Sequence, residues 1–450
     1  MKRKVYDRLL EWKKEQNGKS AVLINGARRV GKSYIAKAFA QNEYKSYILI
    51  DFNKVGNNVK SLFDLYLDDL DTFFMYLSSY ANTPLYPRDS VIIFDEVQLF
   101  PRARAAVKYL VEDGRYDYIE TGSLVSIKKN VENILIPSEE EEILMFPMDY
   151  EEFLWAMGNE MLMPLIRMNF DRQHEMGQIM HRKSMDYFRQ YLIVGGMPQV
   201  VAKYLDTRDF RKADYVKRQI LTLYRNDIQK YAASHVSKVT QIFDTIPSQL
   251  QKHEKKFMLK ALTEGARMRD YEMSFFWLSD AMIVNVAYNT TEPNIGLGMN
   301  TDEATLKCYM GDTGLLISHA FNENTIVSEN LYNKLLTDKL EFNEGMVVEN
   351  IVAQMLRAAG HKLYFFSKYS KEKAGERMEI DFLTAKNTIT AKHNISPIEV
   401  KSTSRYTLTS LRKCIEKYGD YLSTPYVLHT ADLKIENGIT YLPLYMTGLL

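Results

Sequence analysis

Residues 26–33 read Gly26-Ala27-Arg28-Arg29-Val30-Gly31-Lys32-Ser33, directly behind the run AVLIN (21–25) and at the start of the helical pattern KSYIAKAFAQ. The segment fits G-x-x-x-x-G-K-[ST], and strand, glycine loop and helix in that order are the context the motif requires. Its glycines let the backbone curl so that its N–H groups, together with the helix N-terminus, face the β-phosphate of a nucleotide. The Lys32 ammonium then reaches the β- and γ-phosphates, and the Ser33 hydroxyl is offered to magnesium. ATP and Mg2+ are therefore the expected ligands, and the fold expected around them is α/β, built on a parallel sheet.

The first 150 residues support that sheet. Short apolar runs at AVLIN, SYILIDF (46–52), VIIFDE (91–96), YDYIETG (116–122) and EILMFPM (142–148) alternate with helical patterns such as ARAAVKYLVED. Most are continuous rather than alternating, as strands buried on both faces should be. VIIFDEVQ ends in two acids. Asp95 is expected to hold magnesium through water, and Glu96 to orient and activate the attacking water as a general base. YIETGS ends a further strand in polar residues, with Thr121 as the expected sensor of the γ-phosphate and Ser123 as the alternative. SYILIDF falls between the two motifs in sequence and is expected to supply an extra strand separating the Gly26–Ser33 strand from the one that ends at Asp95.

Beyond residue 150 the chain changes character. From about 151 to 235 it is helical and rich in Met and Tyr, opening with MDYEEFLWAMG, where Asp149 can cap the helix. YLIVGGMPQVV (191–201) interrupts this region, because Gly195, Gly196 and Pro198 require a tight turn between apolar segments. From about 236 to 325, helices around SKVTQIFDTIPSQL and YEMSFFWLSDAMIV close on the strand pattern IVNVAYN and suggest a winged-helix-like module. The remainder, 326–450, places a helix at GMVVENIVAQMLRAAG ahead of several strands and reads as α/β.

Composition limits the function classes. At 450 residues the chain is too long for one core. Its 46% hydrophobic and 26% charged residues are those of a globular protein, and no apolar run is long enough to span a bilayer. The N-terminal MKRKVYDRLLEWKK lacks the apolar core and cleavage site of a secretory signal, so it is read as an amphipathic helix and a cytoplasmic location is expected. Cys308 and Cys414 have no CxxC partner, which argues against disulfides and metal clusters. The eight histidines show no ligand spacing. Net charge is +1, which neither suggests nor excludes nucleic acid, although residues 361–420 hold twelve Lys or Arg against seven Asp or Glu.

Taken together, GARRVGKS, VIIFDEVQ, ETGS, FPMDYEEFL, the GGMP turn, MGDTGLL around Asp312 and Gly314, and the terminal IEVK resemble the predicted AAA-like P-loop ATPases of bacteria and archaea. These combine a P-loop NTPase (AAA-like) domain with a C-terminal domain of unknown function resembling PD-(D/E)xK nucleases. The resemblance runs from about residue 5 to the end. It implies an AAA-like ATPase domain at 1–150, a helical region at 151–235, a winged-helix-like module at 236–325 and a nuclease-like domain at 326–450. One departure stands out: where relatives carry a Gly-Arg pair, this chain reads Ile136-Pro137-Ser138-Glu139 and three more acids. A basic residue near the γ-phosphate cannot be carried over from there. Arg102, Arg104 and Arg115 remain candidate arginine fingers or ordinary surface charges.

In the last region Glu379-Ile380-Asp381 is followed, eighteen residues after Asp381, by Glu399-Val400-Lys401. On a strand, Glu399 and Lys401 share a face. Asp381 and Glu399 are the candidate ligands of a divalent ion that would activate water against a phosphodiester, Lys401 a charge-stabilising group, and Glu349 on the preceding helix the extra acid of this fold. The same residues can instead form ion pairs in a scaffold or binding domain. The expected function is ATP binding and hydrolysis driving a conformational change, acting on DNA through the C-terminal domain. The alternative is a nucleotide-dependent signalling or interaction switch with an inactive nuclease-like domain. Candidate partners are ATP, DNA and further copies of the chain in a homo-oligomer, with no membrane.

Overall fold

A computed structural model describes residues 1–124, 137–252, 255–294, 296–321, 344–368, 377–385, 394–403 and 405–450. Ile136 and the boundary expected near 326 lie outside the described residues. The chain divides into two compact units, Met1–Phe146 with Asp280–Met282, and Pro147–Ser279 with Ile283–Leu450.

In the first unit the described residues form a parallel sheet of β1 (Ala21–Asn25), β2 (Ser46–Asp51), β3 (Ser90–Asp95), β4 (Asp117–Gly122) and β5 (Glu140–Leu144), in the order β2-β3-β4-β1-β5. β1, β3 and β4 are buried along their whole length; β1 and β3 are accordingly near-continuous apolar runs, whereas β4 carries the buried polar residues Asp117, Glu120 and Thr121. The strand separating β1 from β3 is β4, not the SYILIDF strand. β2 lies at the edge with Leu49 exposed, because its alternating burial suits a strand paired on one side only. One face of the sheet packs on a cluster of aromatic rings in which Phe52, Phe63, Phe94 and Phe100 stand 5.2–6.1 Å apart. The helix Lys32–Glu43 buries Ile35, Ala36, Phe39 and Ala40, the i, i+1, i+4, i+5 stripe of an amphipathic helix. The helix Val5–Gln16 likewise buries Val5, Leu9 and Trp12.

The second unit opens with the helix Tyr150–Ala156. Asp149 accepts from Glu152 N (2.9 Å) and Glu152 accepts from Asp149 N (3.1 Å), a reciprocal cap. Its sheet contains β6 (Val284–Thr290), β7 (Thr301–Met310), β8 (Tyr364–Lys368), β9 (Met378–Ala385), β10 (Ile395–Val400), β11 (Tyr426–His429), β12 (Lys434–Glu436) and β13 (Ile439–Pro443). Their order is β12-β13-β11-β10-β9-β8-β6-β7. The ribbon expected as the wing of a separate module is therefore one end of the same sheet as the C-terminal strands. β6 pairs with β7 antiparallel and with β8 parallel at Tyr288–Tyr364, so both of its edges find partners for their backbone N–H and C=O groups.

The GGMP turn and the DTGLL segment, 116 residues apart, meet inside this unit. The Asp312 carboxylate accepts from Gly196 N at 2.6 Å and from Leu315 N at 2.9 Å, so one buried acid caps the helix Thr313–Ala320 and fixes the turn. Gly196 N–H faces Asp312 while its carbonyl accepts from Met148 N at 2.7 Å. A Cβ on Gly196 would lie 2.1 Å from the Met148 carbonyl oxygen. Gly196→Ala is expected to lower stability by about 1–3 kcal/mol through this overlap, measured as a lower urea midpoint. Gly56→Ala, where a Cβ meets nothing within 4 Å, is expected to leave the midpoint nearly unchanged.

Candidate functional site

Parallel register carries the chemistry to one edge of the first sheet. Asp95 of β3 stands opposite Thr121 of β4, and Thr121 opposite Ile24 of β1, one residue before the strand ends at Asn25. The chain then turns through the Gly26–Ser33 loop. Gly31, at φ 100°, leads into the helix that begins at Lys32, and a Cβ on Gly26 would lie 2.3 Å from the Met145 carbonyl oxygen, so neither position admits a side chain without strain.

Within the loop, Lys32 Nζ donates to the carbonyls of Gly26 (2.8 Å) and Ala27 (2.9 Å) and is buried. Ala27 and Val30 are buried, Arg28 is half-buried and Arg29 exposed. Asp95 Oδ1 accepts from Ser33 Oγ at 2.6 Å and from Thr121 Oγ1. Thr121 rather than Ser123 thus donates to the acid, while Ser123 is buried just beyond the end of β4. A serine hydroxyl beside a carboxylate is a hard oxygen pair suited to magnesium, so the residues present fit the ion.

Glu96 leaves the strand with φ 57°, in the left-handed region, which breaks the alternation right after Asp95. Its carboxylate accepts from Gln98 Nε2 at 2.5 Å. Two contributors escaped the sequence reading. Gln98 lies within the VIIFDEVQ motif, whose pattern alone gives it no role. Arg3 donates to the Val30 carbonyl at 2.8 Å and the Phe146 carbonyl at 2.7 Å and is almost fully buried. No local pattern announces it, because its partners lie 27 and 143 residues away.

All three candidate arginine fingers are held by acids of their own unit. Arg104 forms a two-point pair with Glu140 at 2.6 and 2.9 Å, where β5 begins beside Ala21, at the opposite end of the sheet from the loop. Arg115, just ahead of β4, pairs with Asp71 (2.6 Å) and Asp113 (2.8 Å). Arg102 pairs with Asp64 at 2.5 Å. The acids that follow Ser138 are used structurally: besides Glu140, Glu141 accepts from Gln16 and Glu142 from Asn25.

In the second unit the structure brings together every residue expected at the nuclease-like centre. Asp381 Oδ2 accepts from Val400 N at 2.9 Å, and Glu399 pairs with Lys401. The acids, however, converge on Lys307 of β7, whose Nζ lies 3.0 Å from Glu379, 3.2 Å from Glu349 and 3.7 Å from Asp381. Lys255 also pairs with Glu349, and Tyr309 Oη donates to it at 2.5 Å. Burial alone would raise the Glu349 pKa, but Lys307, Lys255 and the Tyr309 hydroxyl bring it down to about 2. Burial and then the neighbouring acids push Asp381 and Glu399 upward. Among the described residues no group of three or more His, Cys, Asp or Glu side chains is placed to hold a metal ion. The expected pair of metal ligands, Asp381 and Glu399, is thus found engaged with a backbone N–H and two lysines.

Residues 18–154 match the family model described as an AAA domain. The amino-terminal part of the chain is thus similar to AAA domains. Residues 185–325 and 344–446 match two models each described as a domain of unknown function, DUF8612 and DUF4143. No curated protein matches the chain. Among solved structures, it is similar to a Signal Transduction ATPase with Numerous Domains (STAND) protein with a tetratricopeptide repeat sensor from Pyrococcus horikoshii. The identity is 11%, the match covers 77% of this chain and 47% of that one, and the TM-score is 0.28. The chain thus spans less than half the length of that protein. It is also similar to the Aeropyrum pernix ORC1 protein, solved in complex with DNA, at 12% identity, 71% and 91% coverage and a TM-score of 0.27. Cdc6p from Pyrobaculum aerophilum gives 12% identity, 75% and 94% coverage and a TM-score of 0.27. No helix among the described residues is long and apolar enough to cross a membrane.

Arg3 gives the site a test of its own. Arg3→Ala removes both bonds that tie the Val30 carbonyl to Phe146 and is expected to raise the Kd for ATP about tenfold, equivalent to about 1.4 kcal/mol of loop ordering. Nucleotide titration by calorimetry checks this, and an unchanged Kd would show that the loop needs no such anchor.

Proposed function

We propose that the chain binds ATP on residues Gly26 to Ser33 and hydrolyses it to drive a conformational change, acting in the cytoplasm. The observation that carries this reading is Asp95 Oδ1 shared by the Ser33 and Thr121 hydroxyls at the end of three aligned strands. That arrangement supports a reading in which one nucleotide meets loop, acid and polar strand end together. The loop N–H groups and the Lys32 ammonium bind the phosphates, Lys32 leaving the carbonyls of Gly26 and Ala27 for the stronger charge-assisted bonds of a polyanion. Ser33, directly, and Asp95, through water, would hold magnesium, which when bound neutralises phosphate charge. Glu96 takes a proton from the attacking water as general base, oriented meanwhile by Gln98. Thr121, on its strand beside Asp95, senses the γ-phosphate.

For the second unit, the convergence of its acids on Lys307 favours the reading as a nucleotide-dependent signalling or interaction switch over one that cuts DNA. ATP turnover measured with and without DNA separates the two: stimulation by DNA supports a DNA-directed ATPase, and indifference supports the switch.

Two substitutions test the chemistry. Lys32→Ala is expected to weaken ATP binding by about 100-fold or more, since it removes the cation that meets two phosphates. Equal affinity in calorimetry would overturn the assignment. Glu96→Gln keeps the shape of the side chain but loses its basicity, so ATP should stay bound while steady-state turnover falls about 10²–10⁴-fold. If turnover is unchanged, another group is the base.

A further inference from the structure

We infer that the Lys307 ammonium takes, among the acids of the second unit, the place a divalent cation would need, so that the cluster is a permanent ion-pair latch and not a metal-dependent cleavage centre. The inference does not rest on the ATPase reading, since all of its residues lie in the second unit.

The geometry is that of a filled site. Lys307 is 1% exposed, its Nζ lies within 3.0–3.7 Å of carboxylate oxygens from two elements, β9 and the helix Glu344–Ala358, and the Phe365 ring centroid is 5.0 Å away. A divalent ion needs several carboxylate oxygens at about 2.0–2.6 Å, free of competing donors. Here both Glu349 oxygens, Asp381 Oδ2 and one oxygen each of Glu379 and Glu399 already have a donor. Glu349 receives Lys307 and Tyr309 on Oε1 and Lys255 on Oε2, Asp381 receives Val400 N on Oδ2, and Glu399 is paired with Lys401.

Charge gives the same answer. Four carboxyl groups, Glu349, Glu379, Asp381 and Glu399, already face three ammonium groups, Lys255, Lys307 and Lys401. A divalent ion added beside a buried ammonium would leave uncompensated positive charge in a site with little water to screen it. The latch has a structural consequence. It ties β7 to the helix Glu344–Ala358 and to β9, joining two stretches that match different families.

The test uses the full chain without nucleotide and Mn2+ as the probe. Wild type should show no change in melting temperature with Mn2+ and no Mn2+-dependent cleavage of plasmid DNA. Lys307→Ala should melt lower, because Glu349, Glu379 and Asp381 lose their shared counter-ion. Mn2+ should then raise its melting temperature by about 3 °C or more, as a ligand that binds only the folded state does. Adding Asp381→Asn should remove the rise. A folded Lys307→Ala with no response to Mn2+ overturns the inference, as does Mn2+ binding or DNA cleavage by the wild type that Asp381→Asn abolishes. Should Lys307→Ala fail to fold, amine acetylation of the wild type decides. Lys307 should stay unmodified while Lys54, whose side chain is 80% exposed, reacts fully, and equal reaction of the two overturns the latch.

Discussion

A single carboxylate oxygen organises the first unit. Asp95 Oδ1 accepts hydroxyl donors from the helix that follows the glycine loop and from the neighbouring strand. Both bonds depend on parallel register, since Asp95 meets Thr121 only when Val91 meets Asp117 at the other end of the pair. A slip of one residue would turn Asp95 to the opposite face and place an apolar side chain at the site. Arg88, two residues before β3, pairs with Asp117 of β4 at 2.8 Å, so a slip would break an ion pair as well as the Thr121 bond. Strand pairing and site geometry are therefore one constraint seen from two ends, with Phe94, the residue before Asp95, held in the buried aromatic cluster.

What could be read from the sequence follows from how local each signal is. The glycine loop, the acidic strand end and the cap at Asp149 are short patterns whose partners lie within a few residues or on an adjacent strand, and their chemistry is visible in the letters. Strand order is not local. SYILIDF looked like the natural intervening strand from its place in the chain, yet burial on both faces is what selects a central position, and YIETG satisfies it better. The same holds for Arg3, which reads as one of three basic residues at the start of the chain and acts through carbonyls far away. In the second unit, Glu349, Asp381, Glu399 and Lys401 could be named because their spacing matched a resemblance. Lys307 could not, since TDEATLKCYM reads as an ordinary strand with one more polar residue.

The helix Glu344–Ala358 shows how polar groups can specify a buried contact. Glu349, Asn350 and Gln354 lie within six residues and are all buried, where unpaired polar atoms would be costly. Each is answered by the segment 307–313. Glu349 is met by Lys307 and Tyr309. Asn350 accepts from Met310 N at 2.8 Å and donates to Thr313 Oγ1 at 2.8 Å, and Gln354 accepts from Thr313 N at 2.8 Å. Gln354 also donates to Tyr191 Oη, whose own hydroxyl donates to the Met148 carbonyl. Hydrogen bonds of this kind contribute little net stability individually, but leaving any one unmade exposes a buried donor or acceptor to its full desolvation cost. They select one docking of helix on strand from among many with equal apolar burial.

Lys307 carries that argument furthest, because a buried ion pair is a poor source of stability. Desolvating several charges offsets most of their attraction, and apolar groups of the same shape often serve as well. Its value lies in what it forbids. On β7, Lys307 and Tyr309 share one face and both reach Glu349, while Leu306, Cys308 and Met310 occupy the other and are buried. Shifting β7 by one residue against β6 would present Cys308 to the acids and drive Lys307 into an apolar layer, stranding at least one charge on each side at about 3–5 kcal/mol. The hydrophobic pattern of β7 is too even at its C-terminal end to enforce register by itself, since five consecutive residues from Leu306 to Met310 are buried. The charge on Lys307 breaks that degeneracy, which accounts for a fully buried lysine in a strand whose neighbours would otherwise favour an apolar side chain.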